Sequence, residues 1–387
     1  MNDAPARRDW QTIVLIAVRV AVVIAVAAEV PDFANTASDR YRQIAQAEGT
    51  PYRDFSVEYA PGELLLALSV GSSTSGFAVA GLAVAAFVAD VTTWWALVLG
   101  WGRSTARRYL WLGTPLLVFI YRRADLVAVA LAVVGMLLVR RGRDRWGGGV
   151  FAAAVLTRFW PVVLAPVWLV RRKWNAARTF AVALLAGSLS WIAIAGFDSV
   201  RQVATFRRAT GFELESSVGV VVWTLTGEHR LEFDANRTGD IPWWFSPSML
   251  LVLAFLLATV WLRSARRPRV DPSGAPAVAA LAALLIVSPV FSPQYVSWLV
   301  PWAAIAGRDS PRWPIAVAFP VVVTSFLALS WAVGLGLGPG RTQALLVARN
   351  ASLLAILVGY FFWMQGERAM EGREPALEEM PEATTRR

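Results

Sequence analysis

The feature that most constrains this chain is a succession of apolar runs, many of them close to 20 residues long, from Ile13 to Phe362. Hydrophobic residues make up 56% of the 387 positions, above the roughly 45–50% that is usual in soluble domains. A helix of about 20 apolar residues spans the hydrocarbon core of a bilayer, which is about 30 Å thick. The sequence therefore predicts an all-α polytopic membrane protein.

About twelve transmembrane or re-entrant helices are predicted. Their approximate positions are 12–30, 76–101, 109–121, 124–139, 146–157, 159–170, 178–196, 246–262, 274–290, 294–307, 313–334 and 342–364. Several runs are too short to cross a bilayer alone, so we expect pairs of them to turn inside the membrane or at its face. Residues 1–364 are predicted to form one domain, and the charged segment 365–387 a disordered cytoplasmic tail.

The distribution of arginine predicts the orientation of the chain. The net charge is +10, but most arginines lie in short loops between apolar runs. This positive-inside pattern places both termini in the cytoplasm and argues against a nucleic-acid-binding surface. Residues 31–75 (the first long loop) and 197–245 (the second long loop) are then outward-facing, and each is expected to contain an interfacial helix.

Several classes of chemistry are excluded by composition. The chain has no cysteine and only one histidine, His229, so disulfides, thiolate catalysis and His-cluster metal sites are ruled out. Nucleotide-binding and hydrolase motifs are also missing, so energy must come from an activated substrate or a gradient. The acids of the long loops are compatible with a divalent cation, but no ligand spacing requires one, and no cofactor is predicted.

The first long loop carries acids and tyrosines in two motifs, SDRYRQIA (38–45) and PYRDFSVEYAPG (51–62). Ser38 or Asp39 is expected to cap a short interfacial helix. A capping acid on a surface helix is the ordinary interpretation of Asp39. The functional interpretation is a carboxylate held where an amphiphilic substrate meets the bilayer.

Arginines stand at two breaks between short apolar runs, in YRRADL (121–126) and LTRFWP (156–161). A guanidinium near bilayer depth is costly and normally has a partner or a function. Because its planar fork matches phosphate, Arg122, Arg123 and Arg158 are candidates for binding a lipid phosphate. The alternative is structural: an Arg123–Asp125 pair, or a snorkelling side chain that ends a helix.

Two further motifs complete the set. In GFELESSVG (211–219), Ser216 or Ser217 is expected to be the N-cap of a helix. In FSPQYVSWLVP (291–301), prolines interrupt an apolar run around Gln294 and Tyr295. With LTRFWPVVLAPVWLVRRKW (156–174), the motifs span roughly residues 38–301.

In that order, the motifs resemble those of the glycosyltransferase C superfamily. Within it, the chain is most similar to the bacterial polyprenyl-phosphate-dependent mannosyltransferase-like membrane proteins of glycosyltransferase family 87. This chain departs from the family at three points: Ala60-Pro61 replaces a frequent Pro-Pro pair, Arg158 a common lysine, and Ala124 a common phenylalanine.

The resemblance implies a GT-C-type fold in a bacterial plasma membrane. It also implies inverting transfer of a sugar, mannose by family habit, with arabinose open, from a polyprenyl-phosphate carrier to a glycolipid or envelope glycan on the outer face. The expected general base is Asp39, followed by Asp54 and Glu58, and then Asp32. The expected donor-phosphate ligands are Arg122, Arg123 and Arg158. Substrate contacts are expected from Tyr41, Tyr52, Arg53, Asp54, Glu58, Tyr59, Glu215, Gln294 and Tyr295.

A secondary transporter or a flippase of envelope lipids is the alternative function, because an even number of spans with both ends inside is common among transporters. Transporters usually contain internal repeats and carry their polar sites near the midplane. This sequence has no convincing repeat, and its acids concentrate in the two long loops, which favours the enzyme. The sequence does not indicate an oligomeric state.

Overall fold

A computed structural model describes residues 10–28, 36–72, 74–205, 209–233, 235–332 and 334–371. The α-helices are α1 (Trp10–Ala27), α2 (Thr36–Gln46), α3 (Pro61–Gly71), α4 (Ser75–Trp101), α5 (Arg103–Gly113), α6 (Leu117–Ile120), α7 (Asp125–Arg140), α8 (Asp144–Thr157), α9 (Pro166–Val170), α10 (Trp174–Ala195), α11 (Asp198–Ala204), α12 (Ser217–Thr226), α13 (Phe245–Ala265), α14 (Ala275–Val287), α15 (Val300–Ala306), α16 (Arg312–Ala332) and α17 (Pro339–Glu371). Three 3-10 helices are Thr114–Leu116, Trp160–Leu164 and Pro293–Leu299.

The all-α membrane architecture is confirmed. Within the described ranges, six helices are long and apolar enough to cross a bilayer: Trp10–Ala27, Gly76–Trp101, Trp174–Ala195, Phe245–Ala265, Arg312–Ser330 and Pro339–Phe362. Many of the other predicted runs fold as shorter helices such as α7, α8 and α14, so the total of about twelve remains a prediction. Helix α17 reaches Glu371, and the rest of the predicted tail lies outside the described residues.

Two of these helices expose most of their side chains on the outside of the protein. Only 6% of the most apolar stretch of α10, and 22% of that of α13, is buried inside the protein. Leu185 and Leu251, for example, are largely exposed. Apolar surface of this extent is unfavourable in water but suits contact with lipid, so both helices fit the periphery of a membrane bundle.

The interior is built around shorter helices. Helix α7 packs against α4 and α8, and α8 packs in turn against α10, while α14 packs against both α13 and α17. Small residues dominate α14, where Ala279, Ala280 and Ala283 are fully buried. Such residues allow close approach of helices, and in a membrane close packing replaces the hydrophobic effect as the source of association.

A buried ion pair ties α1 to α4. Arg19 Nε donates a hydrogen bond to Asp90 Oδ2 at 2.9 Å, and both side chains are 2% exposed. The hydroxyls of Tyr109 and Tyr121 also donate to the Asp90 carboxylate. Buried charges are tolerated when they are paired and hydrogen-bonded, which is the case here.

The second long loop contains a small antiparallel sheet that the sequence does not predict. Its strands are β1 (Phe212–Glu213), β2 (Arg230–Glu232) and β3 (Ala235–Thr238), in the order β1-β3-β2. The strands are two to four residues long, too short to show the alternating pattern of a half-buried strand. Next to the sheet, the Ser216 hydroxyl accepts a hydrogen bond from Gly219 N at 2.9 Å, which makes Ser216 the N-cap of α12.

The interfacial helix predicted in the first long loop is α2. It begins at Thr36, so Ser38 and Asp39 lie in its first turn and not at its N-cap. Tyr41 and Ile44, with Ala37 and Ser38, form its buried face, whereas Asp39 is exposed. An acid in the first turn still complements the positive end of the helix dipole.

Candidate functional site

Two glycines allow α3 to approach its neighbours closely. A Cβ atom on Gly62 would lie 2.6 Å from Thr157 Oγ1 of α8, and one on Gly71 would lie 2.2 Å from the carbonyl oxygen of Tyr41 in α2. Any side chain at either position would force the helices apart. The start of α3 therefore lies against the end of α8, which places Glu63 beside Arg158.

Arg158 lies between two acids that come from different parts of the chain. Its Nη2 donates to Glu63 Oε1 at 2.8 Å and contacts Asp125 Oδ2 at 3.4 Å. The Tyr41 hydroxyl donates to the same Glu63 oxygen at 2.7 Å. Trp298 Nε1 donates to Asp125 Oδ1 at 2.9 Å. We call these five residues the Arg158 cluster.

The pKa values of Glu63 and Arg158 are shifted by their surroundings in this cluster. Burial raises the pKa of Glu63 to about 7, although the Arg158 guanidinium acts in the opposite direction. Burial alone lowers the pKa of Arg158, but Asp125 and Glu63 more than offset it, so the net shift is upward. Arg158 therefore remains charged, whereas Glu63 titrates near neutral pH.

Two of the predicted phosphate-binding arginines act on Tyr59. The Arg158 guanidinium lies 5.8 Å from the centroid of the Tyr59 ring. Burial raises the pKa of the Tyr59 hydroxyl, and the positive charges of Arg158 and Arg123 lower it. The charges of both arginines therefore act on this tyrosine of the first long loop. Arg122 is buried in the same turn as Arg123, between α6 and α7.

Three aromatic side chains stack beside the Arg158 cluster. The Trp160 and Trp298 rings lie 5.1 Å apart, and the Trp298 and Tyr295 rings 4.1 Å apart. We call these three residues the aromatic stack. The backbone N of Tyr295 donates to the carbonyl oxygen of Ser292 at 2.9 Å, and the Ser292 hydroxyl donates to Glu213 of β1. The stack therefore lies between the Arg158 cluster and β1 of the second long loop.

Glu213 is the acid on the far side of the stack. Its Oε1 accepts a hydrogen bond from Ser292 Oγ at 2.8 Å. Burial raises its pKa, and Arg237 partly opposes that shift. Glu213 lies in the GFELESSVG motif of the second long loop, but the sequence alone gives it no role in the site.

The four candidate bases differ in their surroundings. Asp39 is exposed, and no side chain or backbone group in the described part of the chain bonds its carboxylate. Asp54 accepts a hydrogen bond from the backbone N of Thr50. Glu58 is buried and forms an ion pair of 2.9 Å with Arg40. Asp32 lies outside the described residues.

Two further predicted substrate contacts have structural partners in the first long loop. Tyr52 is buried with a left-handed backbone (φ 68°), and its hydroxyl donates to the carbonyl oxygen of Tyr59 at 2.6 Å. A tyrosine rarely adopts this conformation, so the surrounding contacts must hold it. Arg53 is exposed and donates to the carbonyl oxygen of Ala193 at 3.3 Å.

Glu215 lies in a separate cluster. Arg349 of α17 donates to its carboxylate at 2.5 Å and to its carbonyl oxygen at 2.6 Å, which ties the second long loop to the last long helix. The Arg349 guanidinium also lies 4.0 Å from the centroid of the Phe291 ring. Gln294 is buried, one residue before Tyr295.

The structure thus joins Tyr41, Tyr59 and Arg158 directly, and adds Glu63, Asp125 and Glu213, which the sequence does not single out as site residues. One sequence signal could have identified Glu63, namely an acid at the start of an apolar run. A charge next to the membrane interior is energetically costly and seldom lacks a role. Within the described ranges, no group of three or more His, Asp or Glu residues is arranged to hold a metal ion.

Comparison with curated proteins finds no match. The sequence profile of glycosyltransferase family 87 matches residues 58–293, which is more than half of the chain. The matched region includes Glu63, Asp125, Arg158 and Glu213. The resemblance seen in the motifs is confirmed, and the chain belongs to glycosyltransferase family 87, a family of membrane glycosyltransferases.

Proposed function

We propose that this enzyme transfers a sugar, mannose in the first instance, from a polyprenyl-phosphate carrier to a glycolipid or an envelope glycan. Transfer takes place on the outer face of the bacterial plasma membrane, with both termini in the cytoplasm, and inverts the anomeric centre. The orientation rests on the distribution of arginine.

The observation that carries the proposal is that Arg158 lies beside the Tyr59 ring and that the charge of Arg123 also acts on the Tyr59 hydroxyl. Each arginine stands at a break between short helices, and Tyr59 belongs to the first long loop. Arginines gathered at such breaks suit a lipid-borne phosphate, whose tail lies in the bilayer and whose sugar reaches the loops.

The reaction needs positive charge at the leaving group. Polyprenyl phosphate departs as an anion of low basicity, so it requires electrostatic stabilisation and no proton. Glu63 and Asp125 engage Arg158, so this arginine contributes mainly its field. We assign direct phosphate contacts to Arg122 and Arg123, which lie together between α6 and α7. Guanidinium groups bind phosphate oxygens in a bidentate manner.

Asp39 is assigned as the general base. The acceptor hydroxyl loses its proton while it attacks the anomeric carbon, and a carboxylate within hydrogen-bond reach accepts that proton. The exposure of Asp39 on α2 supports this role, because Asp54 and Glu58 already have partners in the first long loop. Tyr41, two residues further along the same helix, anchors α2 to the Arg158 cluster.

A donor comparison tests the proposal. Purified enzyme is incubated with a glycolipid acceptor and either polyprenyl-phosphate mannose or a nucleotide-activated mannose. Product from the lipid-linked donor alone is expected. In parallel, the protein is placed in sealed vesicles with the same lipid. Movement of the lipid across the vesicle membrane without product would instead identify a flippase.

A further inference from the structure

Two buried carboxylate oxygens near the aromatic stack have no hydrogen-bond donor. They are Oε2 of Glu63 and Oε2 of Glu213, and neither has a partner among the described residues. The donors that reach these acids leave the second oxygen of each unpaired: Glu63 Oε1 accepts from Tyr41 and Arg158, and the Glu213 carboxylate accepts from Ser292 Oγ at Oε1 and from the backbone of Phe291. Proteins leave few buried acceptors unsatisfied, so a bound molecule is a natural source of the missing donors.

The two acids border a single region. Glu63 is bound to Arg158. Glu213 Oε1 accepts from Ser292 Oγ, and the carbonyl oxygen of Ser292 accepts from the backbone N of Tyr295 at 2.9 Å. Trp298, the middle ring of the aromatic stack, is held by Asp125, the other acid on Arg158. A continuous set of contacts therefore links the two acids through Arg158, Asp125 and the aromatic stack.

The chemistry of this region selects the ligand. The two carboxylates disfavour an anionic ligand. The Arg158 guanidinium beside Glu63 disfavours a cationic one. A neutral molecule with several hydroxyl donors suits both oxygens, because each of them is a hydrogen-bond acceptor without a donor. A sugar provides such hydroxyls and, in addition, apolar C–H faces that pack on aromatic rings.

We propose that Glu63 and Glu213 form a subsite for the transferred sugar, in which each accepts a hydrogen bond from a different hydroxyl. The assignment to the transferred sugar rests on the proposed function, because that sugar is attached to the phosphate that the arginines bind. The subsite determines which sugar is accepted, since a hydroxyl missing at either acid leaves a buried oxygen unpaired.

A cycle of substitutions in enzyme and substrate tests the subsite. Wild type, Glu63→Gln and Glu213→Gln are each assayed with polyprenyl-phosphate mannose and with its monodeoxy analogues. In the wild type, loss of the hydroxyl facing either acid is expected to lower kcat/KM about tenfold or more. In the variant that lacks the acid facing that hydroxyl, the same deoxy analogue is expected to lower kcat/KM only slightly further. An equal penalty in wild type and variants at every hydroxyl position would overturn the subsite.

Glu48→Gln is the matched control. Glu48 is an exposed acid of the same first long loop, outside the Arg158 cluster. This variant is expected to retain the full wild-type penalty for each deoxy analogue. A penalty lost in Glu48→Gln as well would contradict a specific role for Glu63 and Glu213.

A binding measurement separates the subsite from the proposed donor. Thermal unfolding of purified protein is followed with methyl glycosides of mannose, arabinose and glucose. At least one glycoside is expected to raise the unfolding temperature of the wild type. It is expected to leave the unfolding temperatures of Glu63→Gln and Glu213→Gln unchanged. If this holds while polyprenyl-phosphate mannose is not used, the proposed donor fails and the subsite stands. No stabilisation of the wild type by any glycoside, equal stabilisation of both variants, or stabilisation that EDTA abolishes would overturn it.

Discussion

Arg158 and Glu63, which are 95 positions apart in the sequence, form an ion pair of 2.8 Å. The pair joins the end of α8 to the first turn of α3, and therefore joins the membrane bundle to the first long loop. Asp125, at the start of α7, makes the second contact with the same guanidinium. The site thus depends on three helix ends that meet at one charge.

Replacing Arg158 with glutamine is expected to destabilise the protein, because Glu63 and Asp125 would be left buried without their cation. The cost of breaking such a pair is about 3 kcal/mol. The double variant Arg158→Gln/Glu63→Gln is expected to lose less stability than Arg158→Gln alone, since one uncompensated charge is removed. Thermal unfolding in detergent measures both.

Arg145→Gln serves as the control for this cycle, because Arg145 is exposed at the start of α8. Its effect on stability is expected to be small, within about 0.5 kcal/mol. If the effects of Arg158→Gln and Glu63→Gln on stability are additive in their double variant, the two residues are not energetically coupled.

The raised pKa of Glu63 predicts a dependence of stability on pH. The pKa of Glu63 in the folded protein is about 7, whereas an unfolded glutamate titrates at about 4.3. Between these values the folded state binds the extra proton, so the contribution of Glu63 to the unfolding free energy falls as pH rises. Unfolding temperatures of wild type and Glu63→Gln are compared at pH 5 and pH 8. The wild type is expected to lose more on going to pH 8; an identical loss in both proteins would refute the shift.

The ion pair between Arg19 and Asp90 makes a separate prediction about the bundle. Asp90→Asn leaves the Arg19 charge in an apolar interior and is expected to cost about 3 kcal/mol of stability. Arg19→Met combined with Asp90→Asn removes the unpaired charge and is expected to recover part of that loss. A double variant that unfolds at a lower temperature than Asp90→Asn would contradict this account.

Asp39→Asn is expected to abolish sugar transfer while the protein still accumulates in the membrane. The carboxylate is exposed, so its loss has little effect on folding. Gln43→Ala, on the same exposed face of α2, is the control and should retain activity. Turnover is measured with purified proteins at matched concentrations. Near-normal turnover by Asp39→Asn would exclude Asp39 as the base.

The sequence was most informative where a pattern is local. Apolar runs predict the long helices, and Ser216 is recognisable as a cap because N-capping needs only a hydroxyl before a helix. Arg158 stands out because a charge between two apolar runs is unusual. The family resemblance likewise depends on short motifs in order.

Pairings between distant residues could not be predicted in the same way. Nothing near Glu63 shows that Arg158 will reach it, since the contact depends on Gly62 letting α3 touch α8. The partners of Asp125 include Trp298, 173 positions away, although the sequence suggests only its neighbour Arg123. The sheet of the second long loop depends on equally non-local pairing, between strands of two to four residues.

The central claim is that a lipid-linked sugar is the donor, and one measurement tests it most directly. Purified wild-type enzyme is mixed with polyprenyl-phosphate mannose and a glycolipid acceptor, and mass spectrometry follows all four lipid species with time. We expect one polyprenyl phosphate to be released for each mannosylated acceptor formed, with inverted anomeric configuration. If the donor is not consumed, or if product forms without release of polyprenyl phosphate, the account is contradicted.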